Sequence, residues 1–245
     1  MHPPQIPRVL FIVGLATALS LIGDASVYVV LPTHTAEAGI ALTAVGVMLS
    51  ANRWIRLIAN GVAGWASERV SRRRLFVPAL FLGALSTTLY WTTTGYWPLL
   101  LGRLLWGISW SGIWVVGNAI ILDISRPGTR GRLVGLYNVA FFTGAGAGSF
   151  VGGALLDWLG YDATFQVGAL LALLGAVAAW LFLPETSQLR RETPDPTPAP
   201  GLATPRNSTH KPQMAAILAL IGVNRIAMAG ILFPTFGLFL LTTLG

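Results

Sequence analysis

The sequence predicts an all-α membrane protein, a bundle of apolar helices, on three observations. Only 10% of the 245 residues are charged, against roughly 25% in soluble domains. Hydrophobic residues make up 54%, with a mean hydropathy of +0.67. The apolar residues also fall in runs near the roughly 20 residues that a bilayer crossing needs. Cysteine is absent, which removes disulfides, thiolate metal sites and thiol catalysis. His2, His34 and His210 stand outside the apolar runs, so neither a metal nor another cofactor is expected.

Seven segments read as crossings: residues 9–31, 42–64, 75–93, 98–122, 133–156, 163–183 and 214–244. The first follows Arg8 and precedes Ala36-Glu37-Ala38, as a secretory leader would, but it is too long for one and contains Asp24. The second carries Arg53 and Arg56, the fourth Arg103, the seventh Arg225; the fifth is rich in glycine. Between the sixth and seventh lies the one long polar stretch, 187–213, with Pro194, Pro196, Pro198, Pro200 and Pro205. Such a segment is expected to be an extended linker rather than a helix. Six crossings, a linker and one further helix ending without a polar tail at Gly245 read as part of a longer protein.

The net charge of +7 would suggest nucleic acid in a soluble chain; in a membrane chain its meaning depends on location. The basic residues outside the crossings are Arg8; Arg69, Arg72, Arg73 and Arg74; Arg126, Arg130 and Arg132; and Arg190, Arg191, Arg206 and Lys211. All twelve fall on one side, while the alternate loops carry Glu37, Asp157 and Asp162. The positive-inside rule then places the N-terminus in the cytoplasm of a cell whose inner membrane holds the chain, and no nucleic-acid partner is expected.

After the second segment the chain reads Gly64-Trp65-Ala66-Ser67-Glu68-Arg69-Val70-Ser71-Arg72-Arg73-Arg74. This resembles the signature between helices 2 and 3 of the major facilitator superfamily: Gly, three residues, Asp, Arg, any residue, Gly, Arg, then Arg or Lys. Glu68 stands for the aspartate and Ser71 for the second glycine. Arg103 and Gly107 match the family's Arg-x-x-x-Gly pattern. Gly144, Gly148, Gly152 and Gly153 fit its antiporter pattern, with Ser149 where proline is expected. Gly23-Asp24 through Leu31-Pro32, Asn52-Arg53 with Arg56, Arg130-Gly131-Arg132 and Leu183-Pro184-Glu185-Thr186 are similar too. The resemblance implies a six-helix N-terminal half (1–186) of inverted three-helix repeats, a cytoplasmic linker (187–213) and helix 7 of a second half (214–245). That second half would be required in cis or through dimerisation.

Physics adds an independent reading of the embedded charges. Each costs on the order of 3 kcal/mol at the bilayer centre unless it faces a partner or a cavity. At about 1.5 Å per residue, Asp24 lies about 11 Å and Arg103 about 7 Å from the outer ends of their helices, so the two are expected to pair or to share a proton-sensitive network. Arg53 and Arg56 share a face and, with Arg225, bias the interior towards anionic or zwitterionic solutes. Gly64 is expected to permit close helix contact, with Glu68 accepting from cationic groups. Asp123 is expected to meet Arg69, Arg72 or Arg73 in an exposed pair that biases a gate, and Gly144, Gly148, Gly152 and Gly153 to pack helices and serve as a hinge.

The expected function is alternating-access transport of a small-molecule substrate, with no covalent chemistry and no enzyme activity. The leading form is proton-coupled efflux of drugs or metabolites. Uptake or uniport of an anion or other metabolite, and an inactive half-transporter, are the alternatives. A seven-helix receptor fits poorly with an inside N-terminus and with Lys211, the one lysine, in the linker. Among residues of the apolar segments Asp24 is the one acid, too few for an intramembrane hydrolase.

Overall fold

The structure, a computed structural model, describes residues 5–126 and 128–186. The linker 187–213, the seventh segment and Arg225 lie outside the described residues. All regular structure among the described residues is helical: α1 (Gln5–Thr33), the single turn α2 (Thr35–Ala38), α3 (Leu42–Arg69), α4 (Arg72–Thr92), α5 (Tyr96–Ser111), a π-helical turn (Gly112–Val116), α6 (Gly117–Asp123) and α7 (Arg130–Phe182). The π turn joins α5 and α6 into one span, Tyr96–Asp123.

Among the described residues four helices are long and apolar enough to cross a membrane: Ile6–Thr33, Arg72–Thr92, Tyr96–Asp123 and Arg130–Phe182. Helix α3 has 28 residues, but Asn52, Arg53, Arg56, Asn60, Glu68 and Arg69 dilute its apolar content. At 53 residues α7 would run about 80 Å if straight, far beyond a hydrocarbon core of about 30 Å. It turns at Gly160, where φ is 82° and ψ −176°, a conformation essentially confined to glycine.

The packing against α1 shows that the two arms of α7 run in opposite directions. Gly144 abuts Ala18, Gly148 abuts Ile22 and Gly152 abuts Ser26, so the first arm runs parallel to α1. Gly168 abuts Gly23 while Gly175 abuts Ala16, so the second arm runs antiparallel. The single 53-residue helix is therefore two crossings, as the segments 133–156 and 163–183 anticipate.

Helix ends differ from the expected boundaries. The predicted loop 65–74 is mostly helix, with Val70 and Ser71 alone between α3 and α4, and Arg130-Gly131-Arg132 is the first turn of α7 rather than a loop. The apolar run marks the membrane, whereas backbone hydrogen bonding carries a helix on into the polar interface.

Two buried apolar clusters fill the bundle. One gathers Val13, Phe76, Leu80, Trp106, Ile120 and Ala176; the other gathers Val27, Leu31, Met48, Tyr90, Leu99 and Phe165. The chain passes from one to the other between Leu21 and Val27 on α1 and between Leu99 and Trp106 on α5. Asp24 and Arg103 occupy those intervals.

A candidate coupling site between two apolar layers

Glycine sets the approach of the helices that carry the site. A Cβ at Gly23 would come 2.8 Å from Thr87 Cγ2, and one at Gly168 2.8 Å from the Gly23 Cα, so α1, α4 and the second arm of α7 meet beside Asp24. A Cβ at Gly107 would lie 2.6 Å from the Asn52 carbonyl oxygen. That contact draws α3 against α5 one turn beyond Arg103. The interhelical approach is tight because small residues let backbones close up in an apolar medium, where direct packing drives association.

The structure brings Asp24 and Arg103 into a salt bridge, with Arg103 Nη1 donating to Asp24 Oδ1. Two further acceptors complete the guanidinium's surroundings. Arg103 Nη2 donates to the Tyr28 hydroxyl at 3.1 Å and Nε to the Met48 carbonyl at 3.2 Å. The Tyr28 ring also lies under the guanidinium, 5.3 Å from its centroid, within cation–π range. Tyr28 and Met48 went unrecognised in the sequence. Tyr28 had a signal, because it stands four residues after Asp24 on the same helix face; Met48 contributes a backbone carbonyl, which no side-chain pattern marks.

The two ends of the pair differ in access. The Arg103 side chain is 1% exposed and that of Asp24 11%, so the carboxylate is the less covered partner. If Asp24 takes a proton, Arg103 keeps Tyr28 and the Met48 carbonyl, which lowers the penalty of leaving a buried cation unpaired.

Arg53 and Arg56 each lie near an aromatic ring of the same region. Arg53 is exposed, 5.9 Å from the Tyr28 ring centroid, while half-buried Arg56 is 5.7 Å from that of Trp110. Asn52 is buried and donates to the Tyr28 hydroxyl at 3.4 Å. One wall beside this group is a stack of Trp106, Trp110 and Trp114, with centroids 6.1 and 5.7 Å apart. It continues through the π turn, where Tyr137 donates to the Ile113 carbonyl at 3.5 Å and shares a hydrogen bond with Thr17 at 3.2 Å. π-helical turns recur at functional sites.

A second charge cluster occupies the end of the bundle where α3 meets α4. Arg72 Nε donates to Asp123 Oδ2 at 3.0 Å, and the Arg72 backbone N–H donates to Glu185 at 3.2 Å. Of the three arginines expected near Asp123, Arg72 is the partner. Arg73 donates to the Trp180 carbonyl, and exposed Arg69 lies over Trp65 at 4.2 Å. The pair is not the exposed contact expected: the side chains of Arg72 and Asp123 are 7% and 4% exposed. The buried residues Leu183 and Thr186 belong to the segment that turns in beside them, so breaking the pair carries the penalty of a buried charge rather than that of a surface one. Glu68 is exposed. The close contact expected at Gly64 is not made among the described residues, since a Cβ there meets open space. Gly144, Gly148 and Gly152 do press on α1, whereas a Cβ at Gly153 would meet only Val29 Cγ1, at 3.8 Å.

The profile of the Major Facilitator Superfamily matches residues 13–245. The chain belongs to that superfamily. The inner membrane transport protein YnfM of Escherichia coli (strain K12) is 28% identical over 190 residues, which span 76% of this chain and 45% of that protein. Multidrug resistance protein 1 of Bacillus subtilis (strain 168) is 30% identical over 167 residues, 68% of this chain and 43% of that one. Among solved structures, the human organic anion transporter MFSD10 (TETRAN) superposes with a TM-score of 0.65 at 23% identity, covering 79% of this chain and 51% of that one. The chain spans about half the length of these superfamily members or slightly less. It is a multi-pass membrane protein with the superfamily's all-α fold.

Proposed function

We propose that the protein takes part in proton-coupled export of a small organic solute by alternating access. The observation that carries this reading is the buried Asp24–Arg103 pair, whose acid is the more exposed member and whose base also donates to two further acceptors. A proton on Asp24 would weaken its tie to Arg103, which stays held by Tyr28 and Met48, and a proton that binds one conformation better than the other is what coupling a gradient to a two-state motion requires. The buried Arg72–Asp123 pair at the basic end of the bundle would then hold one of the two states. In this reading 1–186 is one rocking half, 187–213 a linker and 214–245 the first helix of a second half, supplied in cis or by another copy. The basic end faces the cytoplasm and the chain resides in the cell membrane.

A second reading, transport of an anion or metabolite inward or by uniport, draws support from Arg53 and Arg56, which place two cations beside Tyr28 and Trp110. One experiment addresses both. The protein is reconstituted in vesicles with an imposed pH gradient, and flux is measured for a panel of lipophilic cations and small organic anions. Proton-coupled export predicts movement against the proton gradient that collapses when a protonophore is added. Flux of anions alone, indifferent to the protonophore, would replace it with the second reading; no flux of any member would overturn both.

A further inference from the structure

Helix α4 and the second arm of α7 enclose a groove that the coupling site does not use. At its wider end it has a volume of about 1040 Å³ and is lined by Ser71, Arg73, Arg74, Pro78, Phe81 and Trp180 among others. A narrower continuation shares Phe81 and Leu85 with it and reaches Thr88, Trp91, Gln166 and Leu173. From Ser71 to Trp91 the groove follows α4 for 20 residues, about 30 Å, which is the thickness of a bilayer's hydrocarbon core.

Its polarity is graded along that length. The wide end holds two arginines on the first turn of α4, where the helix dipole is positive. The rest is apolar. Glu185, the acid at the wide end, accepts the backbone N–H of Arg72. Trp180 lies 55% exposed at the same level, as aromatic residues do at a membrane interface.

We infer that this groove binds one anionic phospholipid of the leaflet that meets the basic end, with the phosphate at Arg73 and Arg74 and an acyl chain along Phe81 and Leu85. Charge complementarity selects this occupant. A planar guanidinium suits phosphate geometry, a basic pocket between helices on the cytoplasmic side recognises acidic headgroups, and the apolar furrow is as long as one leaflet's chain and more.

Native mass spectrometry of the full chain, titrated with phosphatidylglycerol or phosphatidylcholine, tests the inference. The expected result is one retained phosphatidylglycerol, bound on the order of tenfold more tightly than phosphatidylcholine. Arg73→Gln with Arg74→Gln brings the two lipids within about twofold, while Arg130→Gln with Arg132→Gln leaves the preference in place. Because Arg73 also holds the Trp180 carbonyl, Arg74→Gln alone, at an exposed side chain, is the variant to read if the double one unfolds; it lowers the preference several-fold. Equal binding of both lipids overturns the inference. So does a preference untouched at Arg73 and Arg74, one lost equally at Arg130 and Arg132, or a lipid-free dimer.

Discussion

Replacing Gly148 with leucine is expected to abolish recovery of folded protein from the membrane. At this position a Cβ would lie 2.7 Å from the Ile22 Cα and 3.0 Å from its carbonyl oxygen. These are backbone atoms of a neighbouring helix, so no rotamer change relieves the clash. Overpacking a core where side chains can yield costs about 1–3 kcal/mol; here α1 and α7 must separate. Separation would also remove the hydrogen bond from Ser26 Oγ to the Gly148 carbonyl, 3.2 Å in the native chain, and loosen the matching contacts at Gly144 and Gly152. Gly146→Leu, two residues away on the same helix, meets open space and is expected to leave recovery unchanged. Size-exclusion profiles of the two variants in detergent make the comparison. Equal profiles would show that the α1–α7 contact is looser than its geometry.

Arg103→Ala is expected to have a comparable effect on stability for a different reason. It strands the Asp24 carboxylate between the two apolar layers and deprives the Tyr28 hydroxyl and the Met48 carbonyl of a donor. Removing one member of a buried pair costs about 3–5 kcal/mol, a large part of the roughly 5–15 kcal/mol that holds a typical fold together. Arg103→Lys preserves the charge, but an ammonium on a single stem does not reproduce the fork that serves three acceptors, so an intermediate loss is expected. The double variant Arg103→Gln with Asp24→Asn places neutral hydrogen-bonding groups at both positions. It is expected to recover part of the thermal stability, because no uncompensated charge is left buried, while under the proposed mechanism gradient-driven transport is lost. Thermal unfolding of the four proteins in one detergent decides this. If Arg103→Ala unfolds at the wild-type temperature, the pair does not bear on folding.

Much of this molecule was legible in its sequence, and the parts that were not share a physical cause. The crossings stand out because hydrocarbon admits few polar residues, and Asp24 and Arg103 stand out because they break that rule at matching depth. The ends of helices do not stand out. Glu68, Arg69 and Arg130 are helical in a polar interface that imposes no pattern on composition. Arg69, Arg72 and Arg73 were all candidates for Asp123, and the start of α4 at Arg72 sets which one points inward, since successive helix residues differ in direction by about 100°. The burial of that pair was missed because it depends on Leu183 and Thr186, distant in sequence and brought in by the turn at Gly160. Gly64 matches a motif yet a Cβ there would meet nothing among the described residues, whereas Gly107, in another motif, and Gly168, in none, are in close contact with neighbouring helices. A small residue licenses a contact and leaves the partner to the fold.

In the proposed mechanism protonation of Asp24 couples a gradient to solute movement, and Asp24→Asn in vesicles separates the two. Asparagine occupies the space of the acid, keeps a hydrogen bond to Arg103 and cannot carry the proton. This variant is expected to exchange labelled for unlabelled substrate across the membrane at a rate near that of the native protein, yet no longer to accumulate substrate under an imposed pH gradient. Gradient-driven accumulation at the native level by Asp24→Asn would contradict it, and the pair would then be a structural tie between α1 and α5.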